Sequence, residues 1–447
     1  MLGVALSGPA QAASPTTLKA PYERFVLDNG LVVILHEDHT LPKVSVNLWY
    51  HVGSAQERSD RTGFAHLFEH LMFEGSAHVP EGAFDTWLEE AGGQNNGSTT
   101  EDRTNYVIDV PAGALDLALF LESDRMGFLL ETMTPSRVDG QRDIVKNERR
   151  QSYENRPYGV ADLALPPLLY PKDHPYSWPV IGSMEHLSAA SHDDVVSFFR
   201  RYYGPNNATL VIAGDFDPKS ARRSVERWFN DIPRGPEVAA PVAPEVVLVA
   251  EKRVTLEDDV QLEKVILVWP TVPVFTDGDA ALDALAEILG EGKNSRLYKR
   301  LVYDEQAAQD VTVYHASQRL AGTFVVEIMV RPGRTGDELV RLALEEIGRV
   351  QREGVDEREL QRVKHQNEAR FYAAYEKVGG FGGRADRLNL YQFYRGEPDS
   401  FAWDLARTQG LQRAEIGDVA RRFLGGGRVR VDVRPRSQNR TATAEGR

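Results

Sequence analysis

Three side chains in the stretch Gly63 to Gly75, GFAHLFEHLMFEG, could do chemistry together: His66, Glu69 and His70. They form H-x-x-E-H. A helix turns about 100° per residue, so His66 and His70 share one face and Glu69 falls within the same arc. Leu67, Phe68, Leu71 and Phe73 take the other directions, as in a helix pressed into a core. Two imidazoles one turn apart can clamp Zn²⁺, with nitrogen–metal distances of about 2.0–2.1 Å. A carboxylate beside such a clamp can accept a proton from water. The plainer alternative is a buried helix with two hydrogen-bonded histidines and an exposed glutamate.

Composition narrows the choice. The 447 residues include 11 His and no Cys, so a metal site must be built from imidazoles and carboxylates. That suits a catalytic zinc, which takes three protein ligands and keeps one position open. A net charge of −14 argues against nucleic acid or an anionic membrane surface as the main partner. No apolar run is long enough to span a bilayer. Residues 1–13 contain, near their end, Ala10-Gln11-Ala12, the small-x-small signature of signal-peptide cleavage, although a basic n-region is missing. Export to the periplasm or the medium is expected, as is a disordered tail over 438–447.

The elements that must position these residues follow from periodicity and breakers. Tyr22 to Leu35 reads as two strands turning at Asp28-Asn29-Gly30, and Val44 to Val52 as the next strand. Helices are expected over Gly82 to Ala91, Leu115 to Leu130, Ser136 to Tyr153, His192 to Tyr203 and Ser220 to Phe229, with strands over Thr104 to Val110 and Ala208 to Gly214. Tyr158 to Tyr176, rich in Pro and Tyr, reads as irregular. Ile232 to Pro244 holds four prolines and reads as a linker, placed at 233–244. The pattern then restarts. Strands are expected over Val246 to Val254, Val260 to Trp269, Asp310 to His315, Gly322 to Val330 and Val429 to Val433. The helices between them are expected over Gly278 to Gly290, Ser295 to Asp304, Leu339 to Gly354 and Glu357 to Tyr375. The implied fold is α+β, with two duplicated domains over 14–232 and 245–437. Each would be a mixed, mostly antiparallel sheet with helices packed on one side. The second lacks a counterpart of His66, its equivalent helix around Ala284 to Ile288 carrying no metal ligands. Gly379 to Gly383 reads as a flexible loop, since no strand precedes it and no Lys-Ser/Thr follows.

The order of LDNGLVVIL, H-x-x-E-H, GGQNNGSTTEDRTNY, VKNERR, FFRRYYGPNNATLVIAGDFDP and GEGKNSRLYKRL resembles the pitrilysin-type, or insulinase-like, zinc peptidases, in which H-x-x-E-H is the inverzincin motif. The resemblance runs from Tyr22 to about Val433. It implies His66, His70 and Glu148 as ligands of one zinc ion, with Glu69 as general base; Glu154 is the nearest competitor of Glu148. A carboxylate often found earlier on that helix has Gln141 in its place here. Asn95 to Thr100 is implied as an edge strand to which a peptide adds, with Asn96, Gly97 and Ser98 meeting substrate. The two halves are expected to enclose a chamber that favours peptides or unfolded segments. Many members hold the substrate carbonyl with an Arg and a Tyr from the second half or a partner chain. The strand Ala321 to Val330 has neither, and Arg319, Arg384 and Tyr391 read as surface or packing residues. A dimer is therefore expected, either of two like chains or a heterodimer with a metal-free homologous chain. The implied activity is zinc endopeptidase; the alternative is a non-catalytic partner subunit.

Overall fold

The computed structural model describes residues 18–436; the expected signal segment and the expected tail at 438–447 lie outside them. Eleven strands form two sheets among the described residues. They are β1 Glu23–Val26, β2 Val32–Glu37, β3 Lys43–Tyr50, β4 Gln94–Thr99, β5 Thr104–Pro111, β6 Ala208–Gly214, β7 Lys252–Asp258, β8 Lys264–Thr271, β9 Ala308–Ser317, β10 Gly322–Val330 and β11 Val429–Pro435. The first sheet runs β1-β2-β6-β3-β5-β4 and the second β7-β11-β8-β10-β9. In each, one parallel pair, β2 with β6 and β7 with β11, is followed by antiparallel neighbours. Leaving out β1, the two sheets have the same order and the same directions. The duplication is thus present in the topology.

The helices repeat in step. Phe64–Leu71 follows β3 as Asp279–Gly290 follows β8. Five α-helices between β5 and β6 match five between β10 and β11, with Pro135–Arg149 corresponding to Glu357–Tyr375 and Val160–Leu169 to Arg384–Arg395. Each sheet buries one face against its own helices. The Val44, Val46, Leu48 and Tyr50 side of β3 enters the first core with Leu67, Phe68 and Leu71, while Val265, Leu267 and Trp269 of β8 enter the second with Leu282, Leu285 and Leu289.

The opposite faces are covered across the duplication. Helix Arg384–Arg395 lies on the first sheet, where Ala385, Leu388 and Tyr391 meet Ile34, Val211 and Ala213. Helix Val160–Leu169 lies on the second, where Ala161 and Leu169 meet Ile266, Val268, Val429, Val431 and Val433. This exchange explains a residue pattern that alternation alone reads as half exposed. Ser45, Asn47 and Trp49 alternate with the apolar side chains of β3, yet all are buried. Asn389 donates to the side-chain and main-chain oxygens of Asn47 at 2.8 and 2.9 Å. Asp386 accepts from Trp49 Nε1 at 3.0 Å and Asn105 Nδ2 at 2.8 Å, and its other oxygen accepts from Gly382 N at 2.8 Å. The Gly379–Gly383 loop leads into this helix, and a Cβ on Gly379 would sit 2.0 Å from Asp109 Oδ1. Replacing Asp386 with Ala strands buried donors on Trp49 and Asn105, so the unfolding free energy should fall by about 3 kcal/mol, read by denaturant titration.

Three expectations shift. Tyr158 to Tyr176 is not irregular throughout: Val160–Leu169 is helical, with Pro166 and Pro167 near its end. Burial of its apolar side on the second sheet outweighs the helix-breaking signal. The strand expected over Val246 to Val254 starts only at Lys252, where β11 offers a pairing partner, and Val247 and Val249 are exposed. Helices Phe401–Gln409 and Arg413–Leu424 are additional.

Candidate metal centre

Helix Phe64–Leu71 is fixed from its apolar side. Phe68 stacks near Phe198 and lies 5.0 Å from the Tyr203 ring. Tyr106 Oη donates to the Phe68 carbonyl at 3.2 Å. The face left over presents His66 and His70, whose ring centroids are 4.9 Å apart at 75°. Opposite runs helix Pro135–Arg149, started by Thr134, whose hydroxyl accepts from Arg137 N, and by Pro135 in its first turn. Val138 and Val145 anchor it in the core, and Glu148 in its last turn reaches the histidines.

Glu148 Oε2 is 3.1 Å from His70 Nε2 and 3.7 Å from His66 Nε2. Ligands about 2.0–2.1 Å from a tetrahedral zinc are about 3.3 Å from one another, close to both separations from Glu148, and the three ligand atoms all lie within 4.8 Å of one another. Burial lowers His66 to about 4, keeping its imidazole neutral with a free lone pair at ordinary pH. A hydrogen bond from His70 holds Glu148 below the usual glutamate range, against the effect of partial burial. Glu154 does not compete, because it pairs with Arg149 at 3.0 Å. Gln141 is buried seven residues before Glu148, hence on the same side of the helix, and contributes no charge there.

Glu69 stands apart from this trio. Burial raises its carboxyl, opposed by a 2.6 Å hydrogen bond from the Thr99 hydroxyl to Oε2. Thr99 belongs to β4, the outer strand of the first sheet, which pairs with β5 on one side. Along β4, Asn95, Gly97 and Thr99 face the helix. A Cβ on Gly97 would approach Glu69 Cγ to 3.1 Å and Phe73 Cε2 to 3.2 Å, so a side chain there would press on both. Glu69, His70, Phe73, Asp85, Asn95, Asn96 and Gly97 line a cleft of about 230 Å³.

Of the residues expected to meet substrate, Gly97 lies against Glu69 and Asn96 lines the cleft. Ser98 faces the other side of the strand, where its hydroxyl and carbonyl accept from Arg103 Nη1 at 2.6 and 2.8 Å. The Arg103 guanidinium lies over the Trp49 ring. Asn96 Oδ1 accepts from Gly97 N at 2.8 Å. Thr99 is the residue the sequence reading missed; its alternation with Gly97 in β4 is the signal that could have found it.

The corresponding helices of the second half are joined by ion pairs. Arg370, on the counterpart of the Glu148 helix, pairs with Glu287 at 2.7 Å and with Glu291, both at the end of the counterpart of the histidine helix. A guanidinium thus joins the two helices. A cluster of Asp279, Asp283 and His315 is likewise self-contained: Asp279 accepts from Ser317, Phe275 N and Arg407, while Asp283 pairs with His315. Arg319, Arg384 and Tyr391 are engaged elsewhere. The first stacks on Phe393, the second pairs with Asp38, and Tyr391 donates to Asp404 at 2.8 Å.

Comparison with known proteins bears on the family and the fold. Residues 32–168 match the insulinase family, peptidase family M16, and residues 189–367 match the peptidase M16 inactive domain. The zinc protease PqqE of Helicobacter pylori is 29% identical over 367 residues, spanning 81% of this chain and 82% of that protein. An uncharacterized zinc protease of Bacillus subtilis, YmxG, is 23% identical over 400 residues, 88% of this chain and 95% of that one. The crystal structure of a protease from Helicobacter pylori superposes with a TM-score of 0.86 at 25% identity, covering 93% of this chain and 100% of that chain. The periplasmic protease PqqL of Escherichia coli has the same fold at a TM-score of 0.75 and 19% identity, over 92% of this chain and 47% of that chain. With both halves matched in order and the H-x-x-E-H helix inside the first match, the chain belongs to the pitrilysin-type, insulinase-like peptidase family.

Proposed function

We propose that the protein is a zinc-dependent endopeptidase acting on peptides or unfolded segments, with His66, His70 and Glu148 as ligands of one zinc ion and Glu69 as general base. The observation carrying this reading is the convergence of three ligand atoms at zinc-like spacing, beside a fourth, separate carboxylate. The catalytic unit is 14–232, joined through 233–244 to the homologous unit 245–437. Bound there, zinc would supply Lewis acidity, lowering the pKa of water and polarising the scissile carbonyl. Glu69 takes a proton from the attacking water and passes it to the departing amine. Its raised carboxyl suits both halves of that transfer.

Substrate is inferred to add as a strand along the free edge of β4. Gly97 lets the backbone lie close to Glu69. The amide oxygen of Asn96, which accepts from Gly97 N, stands in for a substrate carbonyl and would turn away as a peptide docks. Ser98 acts by holding the strand to Arg103. The Thr99 hydroxyl keeps Glu69 aimed, so Thr99→Val should lower kcat about tenfold while zinc content stays at one per chain, measured by steady-state kinetics and metal analysis.

Periplasmic or extracellular action is part of the proposal, supported by the small-x-small pattern of the amino-terminal segment and by the likeness to PqqL, a periplasmic protease. So is a dimer. Arg319, Arg384 and Tyr391 are consumed in packing, which favours a substrate-holding Arg and Tyr from a second, metal-free homologous chain. The PqqL chain, about twice the length matched here, supports a pairing of two such units. Isolation of an active homodimer would remove the heterodimer idea.

The test is peptide cleavage by the purified protein. Chelation should abolish it and added zinc restore it. Cleavage that survives complete metal removal would overturn the reading. Full zinc occupancy with no cleavage of any unfolded substrate would favour the partner-subunit role instead.

A further inference from the structure

A short helix carrying two ligands must hold its rotation as well as its place. Turning helix Phe64–Leu71 by about 20° would move an imidazole nitrogen roughly 2 Å, against a tolerance near 0.2 Å for metal–ligand distances. Its start offers no side-chain cap. Gly63 stands at the N-cap with φ 94°, a left-handed conformation that suits glycine. The free N–H groups of the first turn still need acceptors.

They find one six to eight residues upstream. Glu57 follows a short 3₁₀ turn, Ser54–Gln56, and its carboxylate is buried beneath the helix. Oε2 accepts from Gly63 N at 3.0 Å and Oε1 from Ala65 N at 2.8 Å. Two oxygens gripping N–H groups on different sides of the first turn fix rotation, which a single bond cannot. Burial pushes the Glu57 carboxyl up to about 8, while these N–H groups and the positive end of the helix dipole favour its charged form. Ala65 immediately precedes His66.

The same spot connects to the third ligand. A Cβ on Gly182 would fall 2.4 Å from Gly63 Cα, so the two glycine backbones are in contact. The Gly182 carbonyl accepts from the Arg149 guanidinium, and Arg149 directly follows Glu148. A continuous frame therefore runs from Glu57 through Gly63 and Gly182 to Arg149.

We propose that Glu57 is a positioning residue of the metal centre, setting the rotation at which His66 and His70 face Glu148, with Arg149 closing the frame from the other side. The proposal rests on the zinc-peptidase reading above and goes beyond it by assigning a role outside the H-x-x-E-H helix. Glu57→Gln keeps the shape but replaces one acceptor by an amide that opposes an N–H. It should fold, as judged by circular dichroism. Its zinc dissociation constant should rise about tenfold or more in competition with a chelating dye. Its kcat should fall with KM within twofold of wild type, and Glu57→Asp should recover part of both losses. In metal-free protein, hydrogen exchange of the peptide spanning Gly63 to Leu71 should quicken. If Glu57→Gln does not fold, Arg149→Met must give the same rise in zinc dissociation constant and the same kcat loss.

A folded Glu57→Gln protein with zinc affinity, kcat and exchange all within twofold of wild type would overturn the proposal. So would a variant that merely loses thermal stability while zinc affinity and kcat are unchanged. Failure of the underlying reading looks different: wild-type protein would then bind no zinc, whatever the exchange rates of the variants.

Discussion

Glu69→Gln should retain one zinc per chain and the wild-type thermal midpoint, yet lose between about 10² and 10⁴ in kcat for peptide cleavage. The change is nearly isosteric and Glu69 is not among the three converging ligand atoms, so metal affinity should hold. On the proposed mechanism, what disappears is the group that would accept the proton of water and return it to the leaving nitrogen. The Thr99 hydroxyl can still donate to the glutamine oxygen, which keeps the side chain in place and isolates the loss to proton transfer. Metal analysis alongside a single-turnover assay reads both quantities. A variant cleaving at the wild-type rate would show that another group serves as base.

The second large effect is expected at the distant ligand. Glu148→Gln removes the carboxylate of the cluster and leaves the two imidazoles, a set expected to be too weak to hold zinc against a chelator. Disturbing outer-shell partners alone costs 10–100-fold in metal affinity, so loss of a ligand should cost at least about a hundredfold. Cleavage should vanish with the metal and return in part under excess zinc. The fold should survive, since Glu148 is partly exposed and helix Pro135–Arg149 is anchored by Val138 and Val145. Competition with a chelating dye gives the affinity; an unchanged dissociation constant would exclude residue 148 as a ligand.

These two residues were readable from sequence for different reasons. Glu69 sits three positions from His66 and one from His70, so helical spacing alone brings it to the site. Glu148 is 78 positions beyond His70, and only the family resemblance pointed to it; the 3.1 Å approach to His70 supports that assignment. The duplication was legible because the order of strand and helix signals repeats. Glu57 and Thr99 escaped notice since neither lies at a periodic offset from the histidines. One acts through backbone N–H groups and the other across a strand–helix contact. The helix Val160–Leu169 escaped because Pro166 and Pro167 dominate its local signal, while its reason for existing is a sheet built mostly from residues after 250. That the second half has no counterpart of His66 is visible in the sequence, but the pairing of Arg370 with Glu287 joins two helices far apart in the chain.

The crossing of Val160–Leu169 and Arg384–Arg395 onto opposite sheets bears on how the polypeptide matures. As the chain emerges from the ribosome, the amino-terminal half can pair all six of its strands once Gly214 is made, but the side bearing Asn47, Trp49 and Ile34 stays bare until Arg395 has followed. The first half therefore cannot be completed until most of the second has been made, so the two halves do not mature one after the other as independent beads.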